Sequence, residues 1–118
     1  MSRYKVNTVR RLLSLSEAEI LEAARTFDAL GSQARLKILI LVGETQRPLH
    51  IKAVAKALKM DYAALYRQVK VLQERGLLDV YEVGRSRVLS FKDAELLRQV
   101  VDTVKKMIRQ QQPILTKQ

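Results

Sequence analysis

Two phenols, two methyl side chains and a guanidinium fall within one short stretch at Tyr62, Ala63, Ala64, Tyr66 and Arg67, with a further cation at Lys70. Cations beside hydroxyls suit a phosphate-lined groove, and small side chains permit close approach to it. An arginine can also donate two parallel hydrogen bonds to a guanine edge, and an alanine methyl can meet the methyl of thymine. An exposed helical face ordinarily mixes acids with bases, yet after Asp61 no acid follows until Glu74. The chemistry suggested is recognition of double-stranded DNA. Arg67 is the candidate for a guanine contact, Ala63 or Ala64 for a thymine methyl, and Tyr62 and Tyr66 for base edges. The plainer alternative for the tyrosines is half-buried packing, and for exposed lysines simple solvation.

The element that must position these groups is Asp61–Gly76, DYAALYRQVKVLQERG. It opens on an N-cap type of residue and closes on a glycine, with Leu65, Val69 and Leu72 spaced i, i+4, i+7 as one inward stripe. Before it, Lys52–Leu58 has the pattern of a short amphipathic helix. Val54, Ala55 and Leu58 point inward there, and Lys52, Lys56 and Lys59 outward. The connection Lys59-Met60-Asp61 is the length of a helix-turn-helix turn. Lys52, Lys56, Lys59 and Lys70 are placed to meet phosphates, which orients a protein on DNA without reading sequence.

After Gly76 the hydrophobic period shortens. LLDVYEV and RVLSF are β-rich runs separated by Gly84-Arg85-Ser86, which predicts a hairpin with Leu78 and Val80 on the same side as Leu89 and Phe91. Its tip carries Arg85, Ser86 and Arg87. A basic hairpin directly after a helix-turn-helix is a wing, whose arginines would reach the flanking minor groove or backbone.

The remaining chain frames this unit. Ser16 and Glu19 form a capping box ahead of a helix whose buried side is Ile20, Ala24 and Phe27, ending at Gly31. Ser32 caps a helix that is apolar almost all round from Leu36 to Val42, as a helix central to a core would be, with Gly43 as its stop. On this reading all four glycines, Gly31, Gly43, Gly76 and Gly84, mark ends of elements. Leu49 and Ile51, after Pro48, fit a very short strand. Asp93 caps a last helix running to about Gln112, before Pro113. There Leu97, Val101, Val104 and Ile108 make a 4-3-4 seam, widened by Leu96, Val100 and Met107. So broad a stripe at the end of one small domain favours a homodimer interface. The expected organisation is a basic arm or short helix over 1–15, a winged helix-turn-helix domain with its leading helix over 16–92, a dimerisation helix over 93–112 and a tail over 113–118.

The chain of 118 residues has 47% apolar and 29% charged residues, which suits a single globular domain. Its net charge of +10 favours a polyanionic partner, nucleic acid before an anionic membrane surface. The excess peaks over residues 32–60, where six cations face one acid. No apolar run approaches a membrane span, and the N-terminus has no secretory apolar core, so a cytoplasmic, nucleoid-associated protein is expected. Cysteine is absent and His50 is the only histidine, which removes thiolate chemistry and leaves little for a metal site or a Ser–His–acid triad. Neither enzyme activity nor a metal or other cofactor is expected.

Together ALGSQARLKILILV (29–42), LHIKAVAKALKMDYAALYRQVKVLQERGLL (49–78) and VGRSRVLSF (83–91) resemble the arsenic-repressor (ArsR) family of winged-helix transcription regulators. The resemblance covers about residues 16–108. It implies a mainly α fold with a small β-hairpin, namely a winged helix-turn-helix with N- and C-terminal dimerisation helices. Pairing would then run through the first and last helices, adding Ile20 and Phe27 to Leu97, Val101, Val104 and Ile108. The two recognition helices would enter successive major grooves on inverted half-sites, the chain acting as a repressor. The Cys-x-Cys that some family members use to sense metals falls here on His50 and Lys52. The family's acid/histidine site on the last helix finds Asp102 but no histidine. The resemblance thus supports the fold and the DNA role and weakens a metal-sensing one, and no small-molecule effector is named by the residues. Two rivals remain: an abundant, weakly specific chromatin-type DNA binder, and a winged-helix module that sets its basic face on an acidic protein.

Overall fold

The computed structural model describes residues 13–111. Most of the expected basic arm, the stop at Pro113 and the tail lie outside the described residues. The elements in chain order are α1 (Glu17–Leu30), α2 (Gln33–Thr45), β1 (Leu49–His50), α3 (Ile51–Leu58), α4 (Tyr62–Glu74), β2 (Asp79–Val83), β3 (Ser86–Ser90) and α5 (Ala94–Gln111).

Local chemistry explains where the helices begin. At α1 the Glu19 N–H donates to Ser16 Oγ at 3.1 Å, and the Ser16 N–H donates to Glu19 Oε1 at 2.9 Å, closing the capping box. Ser32, Asp61 and Asp93 accept in the same way from Arg35, Ala64 and Leu96 at the starts of α2, α4 and α5. Such a cap contributes about 1 kcal/mol. At the end of α4 the Gly76 N–H reaches the Gln73 carbonyl and the Leu77 N–H the Leu72 carbonyl, both at 2.9 Å. That is the Schellman arrangement, and it needs the left-handed backbone that Gly76 supplies at φ +72°.

The core lies where α2, α3 and α4 meet the sheet. Ile38, Leu39 and Val42 of α2 pack with Ile51, Val54 and Ala55 of α3, Leu65, Val69 and Leu72 of α4, and Leu78 and Leu89. Each fully buried aliphatic side chain there contributes about 1.5–3 kcal/mol relative to exposure. The sheet is antiparallel in the order β1-β3-β2, with Leu49 opposite Leu89 and Val80 opposite Leu89 on the other side. Strand β1 is as short as expected, and Ile51 begins α3 instead of extending it.

Two expectations are corrected. Gly43 does not end α2. The helix runs on to Thr45 and closes at Gln46, which takes the left-handed conformation at φ 60°. Gly43 is buried inside it, and a Cβ there would overlap Leu97 of α5. This glycine serves close helix approach, a use that a sequence pattern cannot separate from a stop.

The second correction concerns α1. Its apolar side is not buried within the chain: Phe27 is 72% exposed, Ile20 36%, and only Ala29 is buried. Only its C-terminal end, Ala29 and Leu30, packs inward, and polar ties add to that hold. The Arg35 guanidinium donates to the Ala29 carbonyl (2.5 Å), the Asp28 carbonyl (3.4 Å) and Gln68 Oε1 (2.7 Å), joining α1, α2 and α4. Farther along, Arg75 pairs with Glu22 at 2.7 Å.

Candidate nucleic-acid interface

Helices α3 and α4 are joined through Lys59, Met60 and Asp61, and the tightness of that turn has a local cause. Lys59 lies in the left-handed region at φ 55°, and the Met60 N–H bonds back to the Ala55 carbonyl at 2.9 Å. A side chain in that conformation costs about 1–2 kcal/mol, so glycine is the usual occupant. Here a cation stands instead. Lys52, Lys56 and Lys59 are all exposed, and so are Ala63 and Arg67 on α4. Ala64 and Lys70 are half-buried. The Asp61 carboxylate is occupied as the cap of α4, which leaves the first three turns of that helix with no free acid.

The wing is tied to α4 through Arg87. Its Nη1 donates to the Tyr62 hydroxyl at 2.9 Å, and its guanidinium lies 4.6 Å from the centroid of the Tyr66 ring. The two phenol rings are stacked, 6.4 Å between centroids and 7° between planes. The hydrogen bond to Tyr62 is the main reason the Arg87 pKa is raised, with Tyr62, Tyr66 and Glu82 adding electrostatic stabilisation of the cation. Glu82 is its cross-strand partner on β2. Both tyrosines are half-buried against the core.

Beside this cluster opens a cleft of about 160 Å³ lined by His50, Ile51, Lys52, Tyr62, Arg85, Ser86 and Arg87. The structure thus brings the N-terminal end of α4, the start of α3 and the wing tip around one concavity. Lys56, Lys59, Arg67 and Lys70 do not line it. Sequence reasoning placed the wing arginines but missed that Arg87 turns inward. The register that sets Arg87 opposite Glu82, within reach of α4, is a tertiary fact with no local signal.

The residues expected at a dimer contact divide in two. Leu97 is 8% exposed and packs within its own chain on Gly43. Val104 and Ile108 are each 42% exposed, as are Leu96, Val100 and Met107 to similar extents, and Val101 is half-buried. Among the described residues no group of three His, Cys, Asp or Glu side chains could hold a metal ion, and no helix is long and apolar enough to cross a membrane.

A helix-turn-helix followed by a small antiparallel sheet with a basic hairpin tip is a winged helix-turn-helix, and solved structures share that fold. A homodimeric winged helix-turn-helix DNA-binding domain from Mycobacterium bovis, described as a possible ArsR-family regulator, superposes with a TM-score of 0.68 at 22% identity. The match covers 82% of this chain and 94% of that one. A transcriptional regulator homologue from Pyrococcus horikoshii aligns at 26% identity and a TM-score of 0.62, over 72% of this chain and 89% of that one. A Mycobacterium tuberculosis protein gives a TM-score of 0.66 at 22% identity, over 82% and 97%. No curated protein sequence matches. The family model HVO_A0114 matches residues 31–96, more than half of the chain, and the chain belongs to that family.

Proposed function

We propose that this chain is a sequence-specific, double-stranded-DNA-binding regulator of transcription, a repressor that acts as a homodimer on inverted half-sites. The observation that carries this reading is the acid-free face of α4 set between a lysine-bearing α3 and a basic wing. In this scheme Ala63, Ala64 and Arg67 enter the major groove, with Tyr62 and Tyr66 at its edge. Lys52, Lys56, Lys59 and Lys70 meet phosphates, and Arg85 with Ser86 carries the wing to the flanking backbone. The M. bovis neighbour, itself a homodimeric DNA-binding domain, supports the assembly.

The dimer would form through the apolar surfaces that the single chain leaves open on α1 (Ile20, Phe27) and α5 (Val101, Val104, Ile108). Twofold symmetry then sets half-sites about 34 Å, one helical turn, apart. A cytoplasmic protein associated with the nucleoid follows from that role. The charge of +10 favours a second reading, a weakly specific chromatin-type binder. Selection of bound duplexes from a random pool separates the two: an enriched inverted repeat supports the regulator, and binding without an enriched motif supports the chromatin-type protein. No binding at low salt points instead to a protein-interaction module.

A further inference from the structure

Arg87 is half-buried and faces inward, unlike Arg85, which is exposed at the wing turn. Its hydrogen bond to Tyr62 and its place over the Tyr66 ring hold β3 against the first two turns of α4. A planar guanidinium can make both contacts at once, which an ammonium cannot. Arginine only donates, so the Tyr62 oxygen is the acceptor in this bond, and the hydroxyl's own proton is what remains to be given. The adjacent cation polarises that O–H and makes it a stronger donor. Tyr62 also lines the cleft shared with Lys52, Arg85, Ser86 and Arg87 itself, into which no carboxylate contributes. What complements such a lining is an oxygen that accepts only and carries negative charge.

We propose that Arg87 is a positioning residue. It locks the wing onto α4 and fixes the Tyr62 hydroxyl as the donor to one DNA phosphate, which seats in the cleft among Tyr62, Lys52, Arg85 and Ser86. This role presupposes that the chain binds DNA, and it differs from a direct contact between Arg87 and the backbone. A direct contact adds one neutralised phosphate and therefore about 0.9 to the slope of log K against log salt; a positioning role leaves that slope unchanged.

The test measures duplex-DNA affinity over a salt series for the full chain and for Tyr62→Phe, Arg87→Gln, Arg87→Lys, the Tyr62→Phe/Arg87→Gln double variant and Arg85→Gln. Tyr62→Phe and Arg87→Gln should each weaken binding about tenfold, the loss of one charge-assisted hydrogen bond, without altering the slope. The double variant should be no more than about twofold worse than the weaker single, because both remove the same contact. Arg87→Lys should not rescue, and Arg85→Gln should lower the slope by about one unit.

Near-ultraviolet circular dichroism should show a changed tyrosine band in Arg87→Gln with unchanged far-ultraviolet signal. A slope lowered by one unit in Arg87→Gln, multiplicative losses in the double variant, or rescue by lysine would overturn the positioning role. Should Arg87→Gln not fold, the near-isosteric Tyr62→Phe decides, since unaltered affinity there removes the phosphate seat. An unaltered chain that fails to bind duplex at low salt overturns the DNA reading itself, a result separate from every variant outcome.

Discussion

Leu97 occupies the space that a side chain at position 43 would need: a Cβ on Gly43 would overlap Leu97 Cδ2 and come within 3.7 Å of Phe91 Cδ2. The contact joins the last turn of α2 to the first turn of α5, so it sets how the terminal helix leaves the domain. Leu97→Ala should cost about 2–3 kcal/mol by opening a cavity. Gly43→Ala sets about 1 kcal/mol of gained helix propensity against crowding of Leu97. The double variant should be more stable than the two single effects predict, because the new methyl fills part of the hole. Urea unfolding at fixed protein concentration measures this, and strict additivity would show that the two positions do not share the space.

Arg35 links three helices through carbonyl and side-chain acceptors that a lysine cannot span. Arg35→Lys should therefore destabilise the domain by about 2 kcal/mol, in the range for hydrogen bonds to a charged donor. A midpoint of unfolding unchanged from the parent would mean that water satisfies those acceptors equally well.

Lys59 presents a trade between stability and binding. Glycine relieves the left-handed strain but is more disordered in the unfolded chain, so Lys59→Gly should leave stability unchanged or raise it by up to about 1 kcal/mol. The same variant should bind DNA more weakly and lower the salt slope by about one unit. Weaker binding together with clear destabilisation would show that the lysine serves the turn and not the ligand.

The acid limb of the stability curve should carry a contribution from Glu22. Its carboxyl lies below the ordinary value of 4.5, first because Arg75 hydrogen-bonds to it, then through the charges of Arg75 and Arg25. A depressed carboxylate pKa stabilises the fold above the unfolded value, and that stabilisation is lost as pH falls through the folded one. Glu22→Gln should thus be less stable than the parent at neutral pH, and the gap should close as pH drops below 4.5. A gap that stays constant down to pH ~3 would place the effect outside this ion pair.

The sequence carried most of the architecture because its signals were local. Ser16 with Glu19, Ser32, Asp61 and Asp93 each declare a helix start within four residues, and the hairpin turn at Gly84 follows from the alternation on either side. The stripe of Leu65, Val69 and Leu72 fixed which side of α4 is buried and so which side is free. What stayed illegible depended on residues distant in the chain. Gly43 looked like a stop until Leu97 was beside it, and Arg87 looked like an outward cation until Tyr62 and Tyr66 were beneath it. The apolar side of α1 was legible as a face, but its pattern could not reveal that Phe27 stays exposed within one chain.

That α4 reads DNA sequence is tested most directly by the specificity of Arg67→Ala. A duplex enriched from a random pool supplies the reference, and affinities are then compared across its single-base variants at one salt concentration. The exposed Arg67 guanidinium predicts a loss of about 1–3 kcal/mol on the reference site and a preference that vanishes at one position in each half-site. An equal loss on every sequence, with the preference at all positions intact, would contradict it.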